Sequence, residues 1–389
     1  MRILIFLIRW GFPLLLITDL SSELLKNEFL LNISRTLRIL LLVFFIIENL
    51  RYFRLIKKFY FFRYFFLFNL VLFIYLFTDE VFLDGFWMYS KTLFWTLGLN
   101  VLYIYNQKNI FTVNDFLKVI KKVIFISFFF TLLFYFNGDL KSEYNVAAYL
   151  VLFMYPFLLL STNGYKNNMI YVLFSAISIL ITLKRGAILA FAVSNVIYYL
   201  IILSNTFSIK KLFNGTILLF FIVLIPLYLI NTQQSDQDQG RFESDQFDVN
   251  NDDAGSGRIG MYTSLYMGWI TSDNIFIGRG NRQDFLRFKS SKGTYAHSDI
   301  FGFLYNFGLL GISLILLLYF KLIKFYYVIK KKDKKNASII LSVLAIFILI
   351  NLYSGMLTGS TNPIYFFSIL AYLQIKNETK KSTYINKSA

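Results

Sequence analysis

Apolar residues in this chain are gathered into long runs, and short polar segments separate one run from the next. Each run is long enough for an α-helix to cross a hydrocarbon core of roughly 30 Å. A backbone in lipid must satisfy its own hydrogen bonds, so the runs predict helices and not strands. The predicted spans, about twelve by this length criterion, are residues 3–18, 36–50, 60–78, 86–105, 119–136, 144–161, 168–183, 186–204, 214–230, 298–320, 337–354 and 361–375. We expect an all-α polytopic integral membrane protein with a single transmembrane domain over residues 1–389.

The composition supports this class of fold and excludes several kinds of chemistry. Hydrophobic residues make up 57% of the chain and charged residues 16%, which is not the composition of a soluble globular domain. The net charge of +17 could indicate nucleic-acid binding, but the basic residues flank the spans, so membrane lipids are the expected surroundings. The absence of cysteine excludes disulfides and thiolate metal ligands. No small-residue cleavage site follows the first apolar run, so we interpret it as a retained span.

The loops between the predicted spans alternate in charge. Basic residues cluster in every second loop, for example at 51–63 and 330–335, whereas the loops between them are poor in Lys and Arg. Basic loops stay in the cytoplasm, which predicts cytoplasmic termini. The long segment 231–297 then lies outside, where it forms a long external loop. Its first part, 231–255, is acidic, but its spacing does not fit a calcium-binding EF-hand loop, and a solvated lid or disordered stretch is favoured.

His297 is the only histidine and stands just outside the tenth span. Phe301, Leu304, Gly308 and Gly311 fall on the same helix face, and glycines on such a stripe let a neighbouring helix approach closely. The imidazole would then point into the mouth of the bundle, where it could transfer protons near neutral pH. The alternative is an ordinary interfacial histidine.

Lys184 and Arg185 lie at the outer end of the seventh span, where the charge pattern predicts few basic residues. Gly186 and Ala187 then open the next helix. Free N–H groups at a helix start, together with a guanidinium, favour anion binding. Snorkelling to lipid phosphate is the alternative.

The external segment also carries arginines and aromatic residues. Arg258, Tyr262, Tyr266 and Trp269 share one face of a predicted amphipathic helix. The aromatic rings could stack on sugars, but a membrane-interface belt is favoured for them and a ligand role for Arg258. A second group is cationic and suits phosphate, with two members expected to bind ligand and the rest to be structural: Arg279, Arg282, Arg287, Lys289 and Lys292.

Three charges fall inside predicted spans. Arg9 and Arg38 lie within reach of helix ends and are expected to snorkel, whereas Lys91 is expected to face an internal cavity. Motifs for nucleotide binding, serine hydrolysis and zinc binding are missing, and no pair of acidic residues outside 231–255 suits a catalytic metal. We therefore expect no metal and no cofactor.

Four short motifs together resemble the O-antigen polymerase and O-antigen ligase superfamily (Wzy and WaaL), over about residues 180–311. They are Leu183-Lys184-Arg185-Gly186-Ala187, Ser256-Gly257-Arg258 followed by Trp269, Gly278-Arg279-Gly280, and His297-Ser298 followed by Phe307-Gly308-Leu309-Leu310-Gly311. The chain departs from the family pattern at Lys184, where Ser or Thr is usual, and at Ser298, where Asn commonly follows the histidine.

The resemblance implies a fold like the C-type glycosyltransferases and metal-independent glycosyl transfer on the outer face of the inner membrane. The implied substrate is an undecaprenyl-diphosphate-linked oligosaccharide, and a chain-length regulator protein is a candidate partner. His297 would be the base, Arg185 and Arg258 would clamp the diphosphate, and the substrate-binding set would be Lys184, Arg279, Arg282, Arg287, Tyr262, Tyr266 and Trp269. A polysaccharide polymerase is favoured. The alternatives are an O-antigen ligase that transfers finished polymer to lipid A–core and, less favoured, a flippase or transporter of the lipid-linked sugar.

Overall fold

A computed structural model of the protein describes residues 5–77, 82–136, 144–160, 168–182, 184–205, 254–289, 298–357 and 362–385. The described residues form helices joined by turns, with no strand among them. The helices are α1 (Phe12–Leu25), α2 (Glu28–Arg51), α3 (Phe62–Tyr75), α4 (Phe82–Gln107), α5 (Val113–Phe136), α6 (Tyr144–Leu159), α7 (Met169–Ile181), α8 (Arg185–Asn205), α9 (Ala254–Ile270), α10 (Gln283–Lys289), α11 (Asp299–Lys330), α12 (Lys334–Tyr353) and α13 (Asn362–Ile385). A π-helical turn, Leu7–Gly11, leads into α1, and a one-turn helix, Phe53–Ile56, follows α2.

Several of these helices have the length and composition of membrane spans. Four are long and apolar enough to cross a membrane: Glu28–Arg51, Val113–Phe136, Asp299–Lys330 and Lys334–Leu352. Shorter apolar helices accompany them at Phe62–Tyr75, Ala147–Leu159, Met169–Ile181 and Gly186–Ile201. The prediction of an all-α polytopic membrane protein is confirmed. The predicted span 214–230 and the acidic segment 231–253 lie outside the described residues.

Aromatic side chains fill the centre of the bundle around α4. Trp95 is fully buried, meets Phe65 of α3 edge-on at 5.3 Å between ring centroids, and stacks on Phe367 of α13 at 5.4 Å. Its indole Nε1 donates to the carbonyl of Leu357 at 3.2 Å, which satisfies the one polar atom of the ring. Helices in lipid associate through such close packing, because lipid tails are as apolar as the side chains.

Buried polar side chains join helices at defined positions. Asn100 of α4 donates to Asn49 of α2 at 2.9 Å, and Ser342 of α12 donates to the carbonyl of Ser194 on α8 at 2.9 Å. Interhelical hydrogen bonds of this kind contribute about 0.6–2 kcal/mol each in membrane proteins. They also set the register of one helix against the next.

Two of the three charges within the predicted spans have carboxylate partners. Arg9 pairs with Asp115 of α5 at 3.0 Å, and Arg38 pairs with Asp19 of α1. The expectation that these arginines simply snorkel is therefore wrong. A nearby carboxylate neutralises each guanidinium, which lowers the cost of placing a charge within an apolar bundle.

The helix α11 is broken at Gly308, where φ is 59° and ψ is −148°. The sequence predicted an uninterrupted span over 298–320, and helix α11 instead extends to Lys330 with this break inside it. The segment 275–280 takes up the backbone groups that the break leaves without helical partners. Its hydrogen bonds are Leu309 N to Ile275 O (3.1 Å), Leu310 N to Phe276 O (3.1 Å), Arg279 N to Tyr305 O (3.1 Å) and Gly280 N to Asn306 O (2.8 Å).

Glycine is required on both sides of this junction. Gly278 has φ of 70°, and a Cβ there would lie 2.5 Å from the carbonyl oxygen of Asn306. A Cβ on Gly308 would lie 2.6 Å from the backbone nitrogen of Gly278. The sequence predicted that Gly308 lets a neighbouring helix approach closely. In the structure it instead lets the backbone of segment 275–280 pack against the broken helix.

We expect Gly308→Ala to destabilise the protein by about 2–5 kcal/mol, combining the strain of a glycine-only backbone conformation with the steric overlap. Thermal unfolding in detergent would report this as a lowered Tm. Gly11→Ala is the matched control, because its Cβ would meet the Leu41 side chain at an ordinary 3.6 Å. Equal Tm values for the two variants would contradict the assignment of Gly308.

Candidate functional site

Helix α9 lies against the end of the bundle where α11 begins and α12 ends. The ring of Tyr262 stacks on Phe301 of α11 at 4.5 Å with an interplanar angle of 8°. Its hydroxyl donates to the carbonyl of Leu352 near the end of α12 at 3.2 Å. Tyr262 therefore anchors α9, and one face of its ring is covered. Sugar stacking by Tyr262 stays a prediction for the other face.

Arg258 lies one turn before this anchor, on the same helix. It interacts electrostatically with Tyr149 of α6, and the Tyr149 hydroxyl is hydrogen-bonded to Ser354 just after α12. Arg258 and Tyr262 share one face of α9, and this face brings Arg258 near the start of α6 and the end of α12. Sequence reasoning missed Tyr149 and Ser354, because a tyrosine near a helix end and a serine in a short loop carry no motif.

The beginning of α11 is tied to the end of α12 by two side chains. Ser298 caps α11 by accepting from Phe301 N, and its hydroxyl donates to the carbonyl of Asn351 at 2.8 Å. Asp299 Oδ2 accepts from the backbone nitrogens of Met356 (2.7 Å) and Leu357 (3.0 Å). His297 lies outside the described residues, but the chain that follows it is fixed at this point.

Asp299 is buried, and we expect Asp299→Ala to destabilise the protein by about 2–5 kcal/mol, because two buried N–H groups lose their acceptor. Asp299→Asn retains one carbonyl oxygen in the same place and should cost clearly less. Chemical or thermal unfolding of the two variants in detergent checks this order. An Asn variant as unstable as the Ala variant would mean that the carboxylate charge, and not its acceptor oxygen, matters.

The start of α8 lies at the same end of the bundle. Asn168, just before α7, donates to the carbonyl of Leu158 at the end of α6, so α7 runs back along α6. The next helix, α8, therefore begins where α6 begins. Helices α8 and α12 pack against each other more extensively than any other pair of helices among the described residues.

Helix α8 begins at Arg185, one residue before the predicted start at Gly186, with Lys184 half-buried immediately before it. The separation in sequence from Arg185 to Ser194 on α8 equals the separation from Ser342 to Asn351 on α12. Because Ser194 and Ser342 are hydrogen-bonded and both helices rise 1.5 Å per residue, the Arg185 backbone lies roughly level with Asn351. Asn351 is the residue that holds Ser298. The side chain of Arg185 lies outside the described residues.

Arg279 and Arg287 hold the loop after α9 to that helix. Arg279 donates through Nε and Nη2 to the carbonyl of Gly268 at 3.1 and 2.8 Å, and Arg287 Nε donates to Ser264 at 3.0 Å. Both guanidinium groups lie over the ring of Tyr305, at 5.5 and 5.6 Å from its centroid. These contacts give the two arginines a structural role. Both side chains are also exposed, so substrate binding by them stays a prediction.

Arg282 has a different environment. It is only 9% exposed and has a left-handed backbone, with φ of 57°. The next turn is pinned, because Asp284 and Asn306 exchange two hydrogen bonds at 2.8 and 2.9 Å. Arg282 interacts electrostatically with Lys91 of α4, which places it in a second group of cations. The side chain of Lys289 and all of Lys292 lie outside the described residues.

Tyr266 and Trp269 lie toward the end of α9. Trp269 donates to the carbonyl of Ile275 at 2.9 Å, whereas Tyr266 is exposed beside the exposed apolar side chains of Met267 and Ile270. Such a surface suits a membrane interface, so the belt interpretation is the one that agrees with this arrangement. Among the described residues, no three acidic, histidine or cysteine side chains lie close enough together to hold a metal ion.

Residues 170–316, from the start of α7 into α11, match the model of the O-antigen ligase family. Over this range the chain is similar to that family. The matched range contains the start of α8, Arg258 and the glycine break, which are the features on which the sequence resemblance rested. None of the curated proteins compared with the chain matches it.

The apolar helices indicate a membrane protein, and the family match covers its residues 170–316. They do not separate polymerase from ligase. The structure places Arg258, the start of α8 after Lys184, and Ser298 at the same end of the bundle, whereas Arg282 interacts electrostatically with Lys91.

Proposed function

We propose that the protein is a polysaccharide polymerase with a fold like the C-type glycosyltransferases. It would transfer a polyprenyl-diphosphate-linked glycan onto the non-reducing end sugar of another lipid-linked repeat unit. The observation that carries this proposal is the meeting of Arg258, the start of α8 and the start of α11 at one end of an apolar bundle. A lipid-linked donor would reach such a site from the membrane.

In the proposed reaction, an acceptor hydroxyl attacks the anomeric carbon of the donor glycan. The bond between that carbon and the diphosphate oxygen breaks, and polyprenyl diphosphate leaves with both bonding electrons. His297 takes the proton of the hydroxyl, a contribution worth roughly 10²–10⁴-fold in rate. Arg258 and Arg185 stabilise the negative charge that develops on the departing diphosphate.

Arginines would serve here in place of a divalent cation. A diphosphate is already a good leaving group, and a guanidinium can bind two of its oxygens at once. Purified protein should therefore remain active in excess chelator. Activity that vanishes with chelator and returns with Mg²⁺ or Mn²⁺ would contradict this part of the proposal.

An O-antigen ligase is the second candidate, since the matched family carries that description. Deleting the gene and separating the surface polysaccharide on a gel distinguishes the two. Loss of the ladder with a single repeat unit retained on the core supports a polymerase, whereas loss of all repeat units from the core supports a ligase. An unchanged ladder would contradict both.

We also propose that the site lies on the outer face of the inner membrane, with both chain termini in the cytoplasm. The charge difference between the loops supports this orientation. A reporter that is active only outside the cytoplasm should work when fused near Gln239 and fail when fused near Lys332. The reverse pattern would overturn the orientation.

A further inference from the structure

Helices α3 and α11 meet at the end of the bundle opposite the candidate site. Phe61, just before α3, lies 5.3 Å from Phe325 of α11 between ring centroids, and Tyr60 lies at the same distance from that phenylalanine. Helix α12 begins a few residues after α11 ends and leads back to Asn351, roughly 25 Å further along its axis. The end of α11 is therefore separated from the candidate site by most of the length of α12.

Three basic side chains gather at this end of the bundle. Lys321 of α11 is half-buried and lies over the ring of Tyr60, with its Nζ 5.3 Å from the centroid. The charges that act on Lys321 are those of Lys324, one turn further along α11, and of Arg63 on α3. Both of these neighbours are exposed. Arg63, Lys321 and Lys324 are called the far-end cluster below.

The far-end cluster has no carboxylate partner among the described residues. The ion pairs in that part of the chain lie elsewhere, at Arg9, Arg38 and Arg51. Glu378 of α13 lies at the same end of the bundle, where it accepts from Gln374 at 2.7 Å, but its charge is not among those that act on Lys321. Neighbouring like charges disfavour one another, so these cations favour an anion from outside the chain.

Each of the two helices carries an exposed apolar stripe that ends at the far-end cluster. On α11, the exposed side chains of Leu316 and Phe320 precede Lys324 at steps of four residues. On α3, the exposed side chain of Leu67 follows Arg63 at the same step. Residues at this step share one face of a helix, and the exposed apolar faces of membrane helices contact acyl chains. Two apolar stripes thus lead to one group of cations.

We infer that the far-end cluster binds the headgroup phosphate of an anionic glycerophospholipid, with one acyl chain along each stripe. Phosphate oxygens accept charge-assisted hydrogen bonds from Lys and Arg, and the negative charge offsets the repulsion within the cluster. Basic pockets between membrane helices are typical sites for such headgroups. Two stripes fit the two chains of a glycerophospholipid, whereas a polyprenyl phosphate has a single chain. This site is independent of the one proposed around Arg258.

The test compares phosphatidylglycerol with zwitterionic phosphatidylcholine of the same acyl chains. Kd is measured for the full-length protein in detergent micelles. We expect phosphatidylglycerol to bind roughly tenfold tighter, and Lys321→Gln to weaken its binding roughly five- to tenfold while phosphatidylcholine is little affected. Lys321→Arg, which retains the charge, should bind within roughly threefold of the parent protein. Arg63→Gln, at an exposed position, is a second variant with the same expected loss.

Lys330→Gln is the matched control. Lys330 lies on the same helix and also over a tyrosine ring, that of Tyr326 at 5.5 Å. It is exposed, however, and lies roughly 13 Å further along α11 than Lys321. Its loss should leave the affinity for phosphatidylglycerol unchanged. Equal losses in Lys330→Gln and Lys321→Gln would indicate a general attraction to the basic end of the bundle and would overturn the site.

Thermal unfolding separates lipid binding from folding. Phosphatidylglycerol should raise the Tm of the parent protein more than phosphatidylcholine does, and Lys321→Gln should lose this extra rise while its Tm without lipid stays close to that of the parent. The site is overturned if the parent binds both lipids equally, or if both Lys321→Gln and Arg63→Gln retain the preference for phosphatidylglycerol.

Undecaprenyl phosphate tests the assignment to a lipid with two chains. We expect it to bind no tighter than phosphatidylglycerol, and an affinity at least roughly tenfold higher would overturn this assignment. Because no turnover is measured, a failure of the proposed polymerase activity would not affect these results.

Discussion

His297→Ala lowers the maximal rate of glycosyl transfer by roughly two to four orders of magnitude if His297 is the general base. The physical reason is that the acceptor hydroxyl must lose its proton as it attacks, and no other histidine in the chain can take its place. Substrate affinity should change little, because the proton is transferred only in the reaction. Single-turnover rates and substrate binding, measured separately on purified protein, check this split.

His297→Gln tests the role more sharply. Glutamine can hydrogen-bond to the acceptor hydroxyl but cannot take a proton near neutral pH. We expect its turnover to be as low as that of the Ala variant, at expression matched by immunoblot. Near-normal turnover would remove the base role and leave His297 as a hydrogen-bonding group.

Arg258→Ala should lower transfer by roughly 10²–10³-fold, the usual effect of removing one group that stabilises developing negative charge. Arg258→Lys retains the charge but loses the two-pronged geometry, so it should recover only part of the rate. If both arginines hold the diphosphate, Arg185→Ala and Arg185→Lys should have the same effects as the corresponding Arg258 variants. Steady-state kinetics with lipid-linked substrate measures all four variants.

A matched control for these variants is Arg9→Ala. Arg9 likewise interacts with a side chain of another helix, Asp115 of α5, but it lies in the π-helical turn before α1. Its loss should leave turnover close to normal. Full activity in Arg258→Ala, with normal activity in Arg9→Ala, would exclude Arg258 from the site.

The arrangement also explains why the external arginines are not equivalent. Arg279 and Arg287 are engaged with α9 and with Tyr305, and Arg282 is buried next to Lys91. Arg258 lies one turn from Tyr262, which anchors its helix to the neighbouring helices, and it interacts electrostatically with Tyr149. Four arginines that are alike in the sequence thus divide into two structural residues, one member of a second cation group and one residue at the candidate site.

Much of the helical architecture could be predicted from the sequence by itself. Long apolar runs must form helices in lipid because the backbone has no other hydrogen-bonding partner there. Helices α2, α5, α11 and α12 overlap the predicted spans, although α2 begins earlier and α11 ends later than predicted. The similarity to the O-antigen ligase family over residues 170–316 could also be predicted, because the short motifs occur in a fixed order. The start of α8 was predicted to within one residue, at Gly186, and the helix begins at Arg185.

Only the tertiary structure decided the details of the site. The break at Gly308 depends on the distant segment 275–280, which supplies the missing backbone partners, so the local pattern indicated an unbroken helix. The partners of Arg38 and Arg9 lie on other helices, and hydropathy cannot report which helices meet. The interactions among Arg258, Tyr149 and Ser354 could not be predicted for the same reason. Contacts between residues far apart in the chain depend on helix packing and register, whereas periodicity along the chain shows only which residues share a face.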